Sequence, residues 1–152
     1  MEIWIVLNPI IKLLLYIAVF GSVGTLVFIF HFYRLLTPLQ LDYCSSTSQK
    51  FTKVGVLVSF ISILSIPGNM SGDLIGIIDI NMVNLSIDTL ALKASLLLFI
   101  GFILIYFLPT NFKKIFFIGN TLAIFIILFS FIVIGHSTKG GILTQSLVTI
   151  HL

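Results

Sequence analysis

Residues Pro9 to Phe32 read PIIKLLLYIAVFGSVGTLVFIFHF, with basic nitrogens only at Lys12 and His31. A helix that crosses a bilayer needs ~20 mostly apolar residues, so this stretch predicts a spanning helix. Pro9 falls in the opening turn, where a missing N–H is tolerated. Ala18, Gly21, Ser22, Gly24 and Thr25 give the helix a small-residue face that lets a neighbour approach closely. A cleavable signal peptide is the competing reading of Met1 to Thr25. It is disfavoured because Glu2 precedes the first basic residue and the apolar run continues unbroken through Phe30. The segment reads as a retained anchor.

The rest of the chain agrees with that start. Of 152 residues, 59% are hydrophobic and 9% are charged, against about a quarter charged in soluble domains. So few charges would leave a soluble core uncovered, and the class is integral membrane protein. The net charge of +3 comes from eight basic and five acidic side chains that are mostly scattered. No basic stripe forms, which argues against nucleic acid as a partner. The single cysteine, Cys44, excludes an intramolecular disulfide and any CxxC motif.

Three further apolar runs follow the first. Taken together, the spans predicted are residues 9–32, 51–66, 90–108 and 115–134. They specify an all-α, polytopic single domain over residues 1–152, in which four transmembrane helices form an up-and-down bundle. Thr37 to Lys50 reads as a polar connection that holds Cys44. Pro67 and Gly68 read as breaks that end the second span. Residues 67–89 are too polar to cross and too apolar for a free loop, which predicts an interfacial segment with Asp73, Asp79 and Asp88 in water. The apolar stretch Ile142 to Leu152 is too short to cross and reads as the truncated start of a fifth helix.

Orientation follows from the lysines and arginines, which are in excess in cytoplasmic loops. Arg34, Lys50, Lys53, Lys113 and Lys114 fall on one side; Lys12, Lys93 and Lys139 fall on the other. The bias places both chain ends outside, on the periplasmic side if the membrane is a bacterial inner membrane.

Only three histidines are present. His136 follows the fourth span, and His151 lies beyond a short polar loop. A hairpin over residues 132–152 would bring both imidazoles to one outer surface, where they are candidate ligands for copper, zinc or iron. Met70 and Met82, in the outer segment, are weaker candidates as soft thioether donors for Cu(I); packing is the plain alternative for both. His31 lies at the opposite membrane face, about 30 Å away, and cannot share a metal or a haem with His136. No Ser–His–Asp set, paired buried carboxylates, phosphate loop or HExxH motif is present, so the chain is not expected to be an enzyme.

Three stretches resemble the copper resistance protein D (CopD) family of bacterial inner-membrane proteins. They are Gly135-His136 followed by a loop and His151, the first helix LLLYIAVFGSVGTLVF with its central Gly-Ser, and IDTLALKASLLLF, where the helix opens after Thr89. The resemblance implies a role in copper transport, homeostasis or resistance, with copper ion as cargo and a periplasmic copper-binding protein as partner. It carries only His136 and His151 over as ligands. Family members have more spans, so it also implies missing C-terminal helices or a homo-oligomer that supplies them. Two other readings stay open. One is a small structural four-helix subunit without a metal; the other is a haem-bearing bundle that uses His136 and His151.

Overall fold

The structure, a computed structural model, describes residues 3–108 and 113–134. It consists of α1 (Ile3–Phe32), α2 (Pro38–Ser71), a 3-10 turn (Ile75–Ile77), α3 (Ile80–Ile87), α4 (Leu90–Phe107) and α5 (Lys113–Ile134). No strand occurs among the described residues. Four of the helices, α1, α2, α4 and α5, are long and apolar enough to cross a membrane. The chain is an all-α, multi-pass membrane protein. The segment expected to start a fifth helix, Ile142 to Leu152, lies outside the described residues.

Helix ends follow local chemistry more closely than hydropathy does. Thr37 opens α2 with a capping box: its hydroxyl accepts from the Gln40 N–H, and the Gln40 side chain accepts from the Thr37 N–H at 3.0 Å. Pro38 holds the first helical position, where it is pre-set for helix. The expected connection over residues 37–50 is therefore the first three turns of α2, and Cys44 is half-buried on a helix rather than placed in a loop. The helix also runs through Pro67 and Gly68 to a glycine cap, Gly72 at φ 83°, whose N–H reaches Gly68 O at 3.0 Å. Its 34 residues make it about 50 Å long at 1.5 Å per residue. Pro9, expected in the opening turn of α1, lies inside it, because the apolar residues from Ile3 to Leu7 extend the helix upstream. Asp79 caps α3 through Asn81 N, and Thr89 caps α4 through Leu92 N.

The helices close a ring in the order α1, α2, α4, α5. Ser48 on α2 donates to Ser22 O on α1 at 3.2 Å, while Trp4 packs on Gly68 at the far end of the same antiparallel pair. Ser62 and Ser95 join α2 to α4 at 3.1 Å, and the Phe102 ring fills the space left by Gly55. Gly101 receives Ile127 between α4 and α5. The seam between α5 and α1 is the thinnest and is held by rings: Tyr16 on Phe131 at 5.7 Å, and Phe30 on Phe117 at 5.0 Å. The core is a strip of Leu, Ile and Phe around Phe102 and Ile127, both fully buried. Outside, large apolar side chains such as Phe20, Phe107, Ile118 and Phe125 are exposed on all sides, the surface a lipid bilayer solvates.

One pattern on α2 organises the interior. Ser45, Ser48, Thr52, Gly55, Ser59 and Ser62 recur at alternating spacings of three and four, a heptad rhythm of small side chains. Four of the six are buried and the other two are half-buried. Without water, each hydroxyl needs a protein acceptor. Thr52 turns back to Ser48 O at 2.8 Å and Ser59 to Val56 O at 3.1 Å. Ser48 and Ser62 reach across to neighbouring helices instead.

Candidate functional site

The bundle has two chemically distinct ends. One carries Trp4, the close of α2, the 3-10 turn, α3, the start of α4 and the close of α5. The other carries Arg34, the cap of α2 and Lys114.

The Trp4 end is built on Gly68. With no side chain at that position, the indole packs against α2 and donates its Nε1–H to Asp73 O at 3.2 Å. The Asp73 carboxylate in turn accepts from Gly76 N at 3.0 Å and Ser71 Oγ at 3.1 Å, which folds the chain into the 3-10 turn. Asp79 accepts from Asn81 N at 2.9 Å. Two of the three aspartates expected simply to be solvated thus hold backbone in place.

Of the metal candidates read from the sequence, Met70 lies in the last turn of α2 and is 45% exposed, while Met82 is half-buried on α3. Both belong to the Trp4 end. His136 and His151 lie outside the described residues; the first follows the close of α5, at this same end, by two positions. Among the described residues, no group of three His, Cys, Asp or Glu side chains converges. His31 is exposed at the Arg34 end, edge-on to Phe32 with ring centres 4.7 Å apart.

Two features were passed over in the sequence. Asn120, in the second turn of α5, is 1% exposed. Its Nδ2 donates to Phe116 O at 2.8 Å, which fixes the amide so that Oδ1 points away, and Oδ1 has no hydrogen-bond partner among the described residues. Leaving a buried acceptor unpaired costs ~1–3 kcal/mol. An amide inside an otherwise apolar span was the available signal. The second feature is a groove of about 270 Å³ on the α1–α5 seam, lined by Tyr16, Val19, Phe20, Val23, Leu128 and Phe131 beside Gly24. The chain matches no family model, no curated protein and no solved structure.

Proposed function

We propose that this chain handles copper at the periplasmic face of a bacterial inner membrane, as a CopD-like protein, with the Trp4 end as that face. His136 and His151 would supply imidazole, and Met70 and Met82 thioether sulfur, a donor set suited to Cu(I). One observation supports the reading most. Met70, Met82 and the close of α5, which leads directly into Gly135-His136, all belong to the same end of the bundle. In this role the protein binds and passes on a cation and makes or breaks no bond. A periplasmic copper-binding protein is the natural donor or acceptor, and the remaining helices of a pathway would come from further spans or from a second copy.

The test is Cu(I) titration of the full chain in detergent against a competing chelator. The intact protein should bind stoichiometrically, and His136→Ala should weaken binding by about tenfold or more, the scale on which metal sites respond to altered ligation. No binding by the intact chain overturns the reading. A Soret band in the purified protein would replace copper with haem.

The apolar groove on the α1–α5 seam favours a second reading, a structural subunit that seats a partner's transmembrane helix. Under that reading the titration gives no binding, and a larger complex co-purifies.

A further inference from the structure

α2 and α5 stand diagonally across the ring and do not pack on each other. Between them, toward the Arg34 end, lies a small, partly open cavity lined by Ser45, Ser48 and Gln49 of α2, Asn120 and Phe116 of α5, and apolar side chains of α1, α4 and the α4 cap. Its volume is about 10 Å³ measured to the centre of a water-sized sphere, roughly the room one water needs. Asn120 Oδ1 is an acceptor without a donor in an almost fully buried residue. The orientation is not arbitrary, because the bond from Nδ2 to Phe116 O holds the amide in place.

The Ser45 hydroxyl, which lines the cavity, makes no bond to Oδ1, and the Ser48 and Thr52 hydroxyls cannot serve it. The proton of Ser48 is committed to Ser22 O, and that of Thr52 to Ser48 O. Ser48 Oγ keeps a free lone pair, so it too seeks a donor. Asn120 and Ser48 both line the cavity, and two acceptors on one small cavity would be served by a molecule with two protons to give. The lining carries no charged group, and an ion in such a site would lack a counter-charge.

We propose that this cavity is a binding site for a single water. It donates one hydrogen bond to Asn120 Oδ1 and one to the Ser48 hydroxyl, and accepts from Ser45 or from the Gln49 amide. The water is the polar joint across the bundle diagonal. It links α5 to the hydroxyl-bearing face of α2, whose Thr52 and Ser59 hydroxyls are satisfied by backbone carbonyls and whose Ser62 hydroxyl pairs with Ser95 of α4.

Solid-state NMR of the full chain in lipid bilayers tests this, with magnetisation transferred from water to side chains. Asn81 and Asn84, exposed on α3, give the fast reference, and the buried Leu98 and Ile127 give the slow one. The Asn120 side-chain signal should build up as early as those of Asn81 and Asn84. Build-up as slow as at Ile127 overturns the proposal. Asn120→Leu keeps the branched shape and removes the acceptor, so transfer to the Ser48 side chain should be lost. Transfer that persists at Ser48 in this variant overturns the role given to Asn120. Should the leucine variant fail to fold, Ser45→Ala carries the same comparison, with slower build-up at Asn120 expected and unchanged build-up counting against the site. The wild-type measurement decides by itself whether water is there.

Discussion

At Gly68 the Trp4 ring occupies the volume that a β-carbon would take, and the indole N–H is spent on the Asp73 carbonyl. A methyl group there must push the ring off α2, and overpacking of this kind costs ~1–3 kcal/mol. Gly68→Ala should therefore lower the unfolding midpoint in a denaturing-detergent titration. Trp4 is the only tryptophan, so its emission reports on this contact alone and should shift to the red as the ring meets solvent. Gly24 makes the opposite case: a β-carbon there meets nothing within 4 Å. Gly24→Ala should leave the midpoint unchanged or raise it, since alanine favours helix over glycine by up to about 1 kcal/mol. Equal losses for the two variants would show that the small residues are not packing sockets. The sequence marks Gly24 as part of a small-residue face and reads Gly68 as a break in the second span. Which of them carries a ring depends on the register between helices, and one span read alone does not contain that information.

Among the elements, α2 departs furthest from its hydropathy. Its apolar run covers residues 51–66, yet the helix holds from Pro38 to Ser71. Both ends were legible in another way. The stretch Thr37-Pro38-Leu39-Gln40 is a capping box with proline at the first position, and Gly72 supplies the left-handed cap. The polar run from Asp42 to Lys50 masks that start because such residues read as loop when they are weighed by transfer to lipid. In the fold, Ser48 points into the bundle, while Ser46, Gln49 and Lys50 are exposed. Proline at position 67 ends a helix when judged locally, but neighbouring helices in a membrane bundle compensate for it. If the cap sets the start of α2, Thr37→Ala should remove ~1 kcal/mol from its first turn. Amide exchange at Gln40 and Leu41 should then speed up severalfold, at the scale of tenfold per 1.4 kcal/mol, while exchange near Val58 stays unchanged. Uniform protection across Thr37→Ala and wild type would mean that α2 is held there by packing alone.

For the whole molecule the open question is how two hairpins dock. Short connections make α1–α2 and α4–α5 antiparallel neighbours, and the sequence is sufficient for that much, as it is for the membrane class and the number of spans. It does not decide which face of one hairpin meets the other, because the apolar surfaces are nearly continuous around each helix. The same limit reaches the site only in part: Met70 and Met82 already fall in one outer segment of the sequence, whereas Asn120 gains meaning only once it and Ser48 line one cavity. The docking rests on α2 against α4, where Gly55 admits Phe102 and the Ser62 and Ser95 hydroxyls meet at 3.1 Å. Replacing both serines by cysteine, in a Cys44→Ser background, puts two thiols at that contact with little change in volume. Oxidation should form a disulfide, seen as the loss of both reactive thiols and a faster-migrating band without reductant. Ser62→Cys paired with Ser130→Cys, whose hydroxyl bonds within its own helix to Ile127 O, should leave both thiols free. A register slip of one residue between α2 and α4 rotates each side chain by about 100° about its helix axis. The designed pair would then stay reduced, and the register between α2 and α4 would have to be redrawn.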